Sequence, residues 1–249
     1  MSKVDYDNIA KDFSKSRKNM KWEEIDYFIS SYLGDFENKN FLDIWCGSGR
    51  LLEQFSNSFD IAKINYLWLD LSIGMIDEAK KIYKNKDFLV LDMTSIDKIE
   101  NKKFDFIFFI ASFHHLQTLD ERLEVLKKAK NLLNKNWIIF MTNWYLNSSI
   151  NDEKYKNNVI ENSENKFWSL DYNIYFWEYA RFYHCFSLSE LEHLFKNNWF
   201  EIIENRAFET NKNFISIIKK YEINLIFFLF KFTYWIRNSL ISWRRTKSS

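Results

Sequence analysis

The sequence predicts an α/β fold, in which a mostly parallel β-sheet carries helices on both faces. Short apolar runs alternate with longer amphipathic stretches from residue 41 onward, as in repeated strand–helix units. Acidic and small residues follow the apolar runs, where the loops of a parallel sheet converge. Hydrophobic residues make up 47% of the 249 residues, which is enough to build one sizeable core.

The alternation predicts the elements in order. An N-terminal helical stretch is expected over residues 4–33, where apolar residues recur at helical spacing. Seven apolar runs predict strands near residues 41–45, 64–69, 87–91, 104–110, 137–143, 199–204 and 213–218. The amphipathic stretches between them predict helices near residues 48–58, 73–84, 119–134 and 187–197. Ser187 or Ser189 is the expected N-cap of the last helix.

Composition divides the chain into three parts. Residues 1–35 are expected to form an N-terminal helical cap, and residues 36–220 the main domain. Within that domain, residues 145–186 break the strand–helix alternation and are rich in Asn, Lys and aromatic residues, which predicts an insertion or lid. Residues 221–249 form an apolar and basic tail that is predicted to be helical.

The tail contains the apolar run INLIFFLFKFTYWI, which is interrupted by Lys231 and flanked by basic residues. This run is shorter than the ~20 residues that a membrane span needs. A helix docked on the domain is the favoured interpretation. The alternative is peripheral contact of residues 223–245 with an anionic membrane surface.

Charge and cysteine content narrow the possible partners and sites. The formal net charge of +1 gives no overall attraction to nucleic acid, so any basic surface must be local. The two cysteines, Cys46 and Cys185, are far apart in sequence, which predicts a reducing, cytoplasmic location. No cysteine pair has zinc-type spacing, and no metal site is predicted.

Four consecutive strand ends carry residues suited to an adenosine-containing cofactor. The segment DIWCGSGR after the first strand allows close backbone approach and offers the free N–H groups of a helix start. Asp70 ends the second strand, where a carboxylate can accept both ribose hydroxyls. Asp92 ends the third strand, where it can accept an adenine amino group, and the segment IASFHH follows the fourth.

This series resembles the class I S-adenosylmethionine-dependent methyltransferases. Asp43, Trp45, Gly47 and Gly49 align with that family's D-x-G-x-G-x-G motif, and Asp70 with its ribose-binding acid. The resemblance implies a Rossmann-like seven-stranded sheet whose last strand is antiparallel, with S-adenosyl-L-methionine as the cofactor. The cofactor-binding residues it implies are Asp43, Trp45, Cys46, Gly47, Ser48, Gly49, Asp70, Leu71, Met75, Asp92, Met93 and Ala111. A dinucleotide-dependent dehydrogenase is disfavoured, because no glycine follows Gly49 at the spacing that its fingerprint requires.

The flanking segments are similar to the tRNA wobble-uridine carboxymethyl methyltransferases, which implies tRNA as a partner. The segment FHHLQT carries that family's His-His-Leu-x-T pattern, and RFYHCF carries its Arg-x-Tyr-His-x-Phe pattern. Two departures are the missing proline before Trp22 and the missing Asn-Trp pair in the segment ETNKNF. The eukaryotic branch of the family uses a small zinc-binding activator subunit, and nothing in this sequence indicates whether one is needed.

The two patterns single out His115, Arg181 and His184 as the candidate catalytic residues. A carboxylate acceptor needs no general base, whereas a ring nitrogen or a hydroxyl would use one of the histidines. Arg181 is expected to hold an anionic acceptor through paired hydrogen bonds. The alternatives are core packing for the histidine pair, and for Arg181 a surface ion pair with Glu178 or Glu190.

The ten tryptophans contradict the rest of the composition. Residues with AT-rich codons abound, and Gly counts 4 and Pro 0, so the GC-rich tryptophan codon should be rare as well. Trp45, Trp68, Trp137 and Trp199 stand at positions where backbone geometry favours glycine. We therefore expect a gene whose UGA codons mean glycine in its own cell and are read as tryptophan in this sequence. Trp22 and Trp144 are expected to be true tryptophans.

Three functions stay open at this point. The first is methylation of a modified wobble uridine of tRNA by an S-adenosylmethionine-dependent enzyme. The second is methylation of a small molecule at a membrane, such as a quinone or a lipid-linked substrate, which the tail favours. The third takes Trp45 at face value and makes the chain a degenerate methyltransferase fold that serves as a scaffold.

Overall fold

A computed structural model describes residues 6–17, 20–34, 36–160 and 167–221. The predicted membrane contact at residues 223–245 lies outside these ranges, as does nearly all of the predicted tail. Within the ranges, no helix is both long and apolar enough to cross a membrane.

The predicted α/β fold is confirmed. The described residues form ten strands, which are β1 (Asn40–Ile44), β2 (Asn65–Asp70), β3 (Asp87–Val90), β4 (Phe104–Ile110), β5 (Leu133–Trp144), β6 (Val159–Ile160), β7 (Leu170–Phe176), β8 (Tyr179–Cys185), β9 (Phe200–Ala207) and β10 (Asn213–Lys220). Seven of them form the main sheet, in the order β3-β2-β1-β4-β5-β10-β9. The strands β1 to β5 pair in parallel, and β10 runs antiparallel to both β5 and β9. This is the predicted class I topology with an antiparallel last strand.

The central strands read as continuous apolar runs because they are buried on both faces. The α-helices are α1 (Tyr6–Arg17), α2 (Glu23–Tyr32), α3 (Arg50–Ser56), α4 (Ile73–Ile82), α5 (Leu119–Leu132), α6 (Asp152–Tyr155) and α7 (Leu188–Asn197). In β1, Phe41 points into a core cluster that includes α2 and α3. The next residue, Leu42, points into the opposite cluster, which includes α5 and α7. The sheet therefore carries a packed core on each side.

Helix α3 begins at Arg50, two residues later than the sequence pattern predicts. Gly47 and Gly49 have φ angles of 56° and 84°, and a right-handed helix cannot start until these left-handed turns are complete. A Cβ atom at position 49 would also lie 3.2 Å from Cε2 of Tyr83. Both constraints explain why this loop needs glycine.

The N-terminal stretch is two helices rather than the single helical stretch predicted. The side chain of Gln54 on α3 accepts a hydrogen bond from Trp22 N–H at 3.3 Å and donates to Trp22 O at 2.7 Å. It also donates to Asp26 Oδ1 at 2.6 Å. Because Gln54 binds the backbone of Trp22 from another element, Trp22 adopts an extended conformation (φ −112°) and α2 starts after it.

Residues 145–186 contain a second sheet that the sequence pattern did not predict. Its strands are ordered β6-β7-β8 and all pair antiparallel. β7 and β8 form a hairpin in which Phe176 pairs with Tyr179, so only two residues make the turn. This small sheet places β8 against the cavity described below.

Candidate active site

A cavity of about 390 Å³ opens at the carboxyl ends of the central strands. One wall consists of the loops after β1, β2 and β4, the place where ligands bind in open α/β sheets. The other wall comes from α1 and from β8. Nine predicted cofactor residues line it, namely Asp43, Trp45, Cys46, Gly47, Asp70, Leu71, Met75, Asp92 and Ala111.

Three predicted cofactor residues, Ser48, Gly49 and Met93, do not line the cavity. Gly49 is the N-cap of α3 in a left-handed conformation and shapes the loop from behind. Met93 is fully buried in the core under the loop after β3.

Asp70 connects two loops at the end of β2. Its Oδ2 accepts a hydrogen bond from Gly47 N–H and its Oδ1 accepts one from Ser72 N–H, both at 2.9 Å. Burial raises the pKa of this carboxyl to about 6, although the two N–H donors act in the opposite direction. Since each carboxylate oxygen has a second lone pair, Asp70 can still accept hydroxyl donors from the cavity.

Asp43 lies deeper in the cavity, at the end of β1. Tyr66 donates a hydrogen bond to its Oδ2 at 3.1 Å. Burial raises the pKa of Asp43 to about 7, and the neighbouring charge of Asp70 raises it further against the Tyr66 hydrogen bond. Two acidic side chains with raised pKa values therefore meet a cavity that suits a positively charged ligand.

Asp92 lies at the third strand end, as the sequence predicted. Its Oδ1 accepts from Thr94 N–H at 2.9 Å and from Thr94 Oγ1 at 2.8 Å, which caps the short 3₁₀ helix Met93–Lys98. The carboxylate also lines the cavity. The three acids thus follow consecutive strands, an arrangement that fits the hydroxyl and amino groups of an adenosine.

Cys46 follows Trp45 in the cavity wall and is buried. Burial and the neighbouring carboxylates raise the pKa of its thiol well above the ordinary value. The thiol is therefore protonated and serves as a small apolar lining group.

Trp45 places an indole ring in the same wall. Its φ angle is 61°, and its ring centroid lies 5.4 Å from that of His115. The indole Nε1 is buried and has no hydrogen-bond partner among the described residues. The backbone of the loop suits a nucleotide cofactor, whereas this side chain takes up part of the space.

The histidine pair divides into one core residue and one cavity residue. His114 is buried, its Nδ1 accepts from Trp144 N–H at 3.3 Å, and burial lowers its pKa well below the ordinary value. His115 lines the cavity, with Nδ1 2.8 Å from Phe182 O. Burial lowers the pKa of His115 to about 3 despite that hydrogen bond. A neutral His115 therefore donates from Nδ1 and keeps its lone pair on Nε2.

His184 requires a correction, because it does not line the cavity. Its Nδ1 lies 2.6 Å from Asp171 Oδ1 and its Nε2 lies 2.9 Å from Glu190 Oε2. Glu190 also pairs with Arg122 at 3.3 Å, so it is not the partner of Arg181. Both ring nitrogens of the buried His184 are engaged, and we assign it a structural role.

Arg181 lies in the cavity wall on β8 and is 4% exposed. Its guanidinium packs over the rings of Tyr183 at 5.2 Å and Phe13 at 5.5 Å. It forms no ion pair with any carboxylate of the described residues, and its Nε has no hydrogen-bond partner there. The surface ion pair considered from the sequence is thus wrong.

Three lining residues, Tyr6, Arg17 and Arg50, were not predicted from the sequence. Two of them, Tyr6 and Arg17, come from a distant part of the chain. Tyr6 and Arg17 of α1 face the cavity, and burial raises the pKa of Tyr6. Arg50 stacks on Trp22 at 4.1 Å, and burial lowers the pKa of Arg50 to about 10. Of these, Arg50 could have been predicted from the sequence, because it directly follows Gly49, the last glycine of the cofactor loop.

Comparisons with known proteins agree with this geometry. Residues 41–136 match the methyltransferase domain family. The chain is 31% identical over 121 residues to malonyl-[acyl-carrier protein] O-methyltransferase 2 of Ilyobacter polytropus, covering 46% of each. It is 28% identical over 142 residues to tRNA (carboxymethyluridine(34)-5-O)-methyltransferase of Saccharomyces cerevisiae, covering 57% of this chain and 47% of that protein. The chain thus spans about half the length of these two curated relatives.

A solved structure shows the same fold. An S-adenosylmethionine-dependent methyltransferase from Clostridium acetobutylicum superposes with a TM-score of 0.62 at 17% identity, covering 87% of this chain and 99% of that one. The superposition reaches well beyond the segment that matches the methyltransferase domain family. Residues 41–136 are thus similar to that family, and the sheet of the described residues has the class I, Rossmann-like methyltransferase fold.

Proposed function

We propose that the protein transfers a methyl group from S-adenosylmethionine to a carboxylate oxygen of an anionic acceptor, and that this acceptor is a carboxymethylated wobble uridine of tRNA. The observation that carries the proposal is Arg181, a buried guanidinium that faces the cofactor cavity without a carboxylate partner among the described residues. Asp43, Asp70 and Asp92 come from the strand-end wall of the cavity, whereas Arg17 and Arg181 come from the wall formed by α1 and β8.

The environment of Arg181 favours binding an anion. A buried charge without a counter-ion is costly, and a carboxylate entering the cavity removes that cost through paired hydrogen bonds. The neighbouring Tyr6 and Tyr183 have raised pKa values, chiefly because they are buried, so they stay protonated and do not supply a counter-charge. Arg17 of α1 adds a second positive group at the same end of the cavity.

The residues of this cavity suit an acceptor that needs no general base. The cofactor, when bound, supplies an activated methyl group on a sulfonium. A carboxylate is already a nucleophile, so transfer needs alignment, exclusion of water and no proton removal. His115 stays neutral at pH 7, since burial lowers its pKa to about 3, and its Nδ1–H remains bonded to Phe182 O. We assign His115 to positioning β8 against the cavity rather than to proton transfer.

Two observations support the choice of acceptor. The names of the two relatives describe O-methyltransferases whose substrates, a malonyl group and a carboxymethyluridine, contain a carboxylate. The yeast relative acts on tRNA by its name, and the His-His-Leu-x-T and Arg-x-Tyr-His-x-Phe patterns resemble the same class. A cytoplasmic location belongs to this proposal as well.

The test measures transfer of labelled methyl to bulk tRNA and, in parallel, to a lipid extract. The expected product is an alkali-labile methyl ester on tRNA. We expect Arg181→Met to lower kcat/KM for tRNA by roughly 30-fold or more, because a charge-assisted hydrogen-bond pair contributes about 2 kcal/mol or more. Affinity for S-adenosylmethionine should be unchanged.

The control is Arg206→Met, which removes an arginine that pairs with Glu204 and Glu209 away from the cavity. Each assay includes the chain with Trp45 and with Trp45→Gly, so that the indole in the cofactor cavity does not obscure the acceptor. Label that appears only in the lipid extract, or an alkali-stable product on tRNA, contradicts the proposed acceptor.

A further inference from the structure

We propose that the native protein carries glycine at positions 45, 168, 177 and 199. These four tryptophans have φ angles of 61°, 61°, 55° and 58°, in the left-handed region that favours glycine. The inference concerns the residues themselves and does not depend on the acceptor proposed above.

The tryptophans are outliers among the described residues with positive φ. The other non-glycine residues there are Asn38, Asn101, Asn136, Asn211 and Ala111. Asparagine tolerates this conformation, because its short polar side chain bonds locally, whereas a bulky aromatic side chain clashes with its own backbone. One tryptophan with positive φ could be a single strained site. Four of them need a common explanation.

Trp45 shares its loop with two glycines of the same conformation. Positions 45, 47 and 49 all have positive φ, and Gly47 N–H donates to Asp70 Oδ2 at 2.9 Å from this loop. The Trp45 indole Nε1 is buried without a partner in the described structure. Glycine at 45 removes both defects and widens the cofactor cavity.

Trp177 occupies the turn of the β7–β8 hairpin. The turn has two residues, and the positive φ falls on the first. Two-residue hairpin turns of this kind are common because their backbone matches the twist of the strands. They favour glycine at the first central position, because glycine adopts a positive φ without strain.

Trp199 follows the C-terminus of α7. The helix ends at Asn197, Asn198 is its C-cap, and Trp199 N–H donates to Lys196 O at 3.0 Å. A left-handed residue at this place closes a helix and is usually glycine. Trp168 lies two residues before β7, and its φ of 61° is left-handed as well.

An exposed aromatic surface for a partner is the competing explanation. The side chains of Trp168, Trp177 and Trp199 are 88%, 66% and 61% exposed. They lie, however, at three separate turns, and each turn has a backbone reason to be glycine. The positive φ angle also explains Trp45, which lines the cavity and could not belong to an exposed docking surface. The glycine explanation therefore accounts for all four tryptophans.

The sign of φ also distinguishes the other tryptophans of the described residues from these four. Trp22 has φ −112° and stacks on Arg50, and Trp144 stacks on Tyr183 at a centroid distance of 5.0 Å. Both are placed as true tryptophans. Trp68 and Trp137 lie in β2 and β5 without positive φ, so the backbone places no demand for glycine there.

Decoding of UGA as glycine in the native cell produces this pattern. The decisive experiment is mass spectrometry of peptides covering these positions, from protein made in that cell. We expect glycine at 45, 168, 177 and 199 and tryptophan at 22 and 144. Tryptophan at any of the four, or glycine at 22 or 144, overturns the assignment.

Recombinant variants supply a second measurement. Trp168, Trp177 and Trp199→Gly together should raise the melting temperature by roughly 5–10 °C, and Trp45→Gly should tighten S-adenosylmethionine binding by about tenfold or more. The matched control is Trp22→Gly with Trp144→Gly, which should lower the melting temperature because both side chains pack against neighbours. If the melting temperature falls as much in the triple variant at positions 168, 177 and 199 as in the control pair, the inference is wrong. Stabilisation without methyl transfer leaves it intact and counts against the proposed function alone.

Discussion

At the scale of single residues, burial sets the charge of the groups in the cavity. The folded chain raises the pKa of Asp43 to about 7 and that of Asp70 to about 6, mainly because both are buried. It lowers the pKa of His115 to about 3 for the same reason. Without ligand, the acids are thus partly protonated near neutral pH, and a cationic ligand favours their charged forms.

The first prediction follows from these acids. Affinity for S-adenosylmethionine should rise as the pH increases from 5.5 to about 7.5, and binding should release protons in that range, because the cation favours ionised Asp43 and Asp70. Isothermal titration in buffers of different ionisation enthalpy measures both quantities. Asp43→Asn should weaken binding and leave only the lower part of the pH dependence, near the pKa of Asp70.

The same acids affect stability in the opposite direction. A carboxyl whose folded pKa is raised contributes stability below its unfolded value, and this contribution is lost as the pH rises from 3.8 to about 7. The free energy of unfolding of the unliganded protein should therefore carry a falling contribution across this range, which Asp43→Asn reduces. Both expectations depend on the raised pKa values of Asp43 and Asp70. An S-adenosylmethionine binding constant that does not change with pH would contradict those pKa values.

At the scale of elements, Glu190 joins the small sheet to the main domain. This α7 carboxylate binds Arg122 of α5, His184 of β8 and the hydroxyl of Ser169 before β7. Burial would raise its pKa, but these hydrogen bonds and the positive charge of Arg122 keep it below the ordinary value. Arg122 also donates to Leu116 O, next to His115, so the network supports the cavity wall from behind.

The second prediction separates this structural role from a catalytic one. His184→Ala should lower the free energy of unfolding by about 2 kcal/mol, because it removes the two hydrogen bonds between the buried imidazole and the carboxylates of Asp171 and Glu190. The activity per folded molecule should not change, since His184 lies outside the cavity. Chemical denaturation and methyl-transfer kinetics well below the melting temperature measure the two effects.

His193→Ala is the matched control, since His193 lies in the same helix as Glu190, is only half-buried, and its ring bonds the side chain of Asn197 at the helix end rather than a carboxylate. It should alter neither quantity. A large loss of kcat in His184→Ala at unchanged stability would return His184 to the catalytic residues.

At the scale of the whole molecule, α1 completes the cavity from a distant part of the chain. Asp7 Oδ1 accepts hydrogen bonds from Ser72 Oγ at 2.5 Å and from Gly74 N–H at 2.8 Å, at the N-terminus of α4. Those two donors lower the pKa of Asp7. This attachment holds Tyr6, Phe13 and Arg17 against the strand ends.

The third prediction concerns that attachment. Asp7→Ala should weaken S-adenosylmethionine binding by roughly threefold to tenfold while the main domain stays folded, because α1 loses two hydrogen bonds to α4. Since the pKa of Asp7 is lowered, its contribution is present above pH 3.8 and is lost as the pH falls below it. Asp12→Ala, which removes an exposed charge from the same helix, should leave binding unchanged. Equal effects of the two variants would show that charge, not attachment, matters.

The parts that the sequence predicted well depend on short-range patterns. Strands buried on both faces read as continuous apolar runs, and parallel topology brings their carboxyl ends to one edge. Asp43, Asp70 and Asp92 could therefore be placed together before any coordinates were known. The start of α3 was predicted two residues early, because the left-handed angles of Gly47 and Gly49 are conformations rather than composition.

From local periodicity and a topological rule, the sequence predicted the strand–helix alternation and the acids at neighbouring strand ends; the class I sheet was implied by the family resemblance of the glycine loop and those acids. Which polar side chains reach the cavity depends on the tertiary structure. His115 and His184 belong to equally suggestive patterns, yet one lines the cavity and the other is held between two carboxylates. The split of the N-terminal helices, the small sheet and the position of Arg181 in the cavity wall likewise depend on contacts between residues far apart in the chain, which no local pattern encodes.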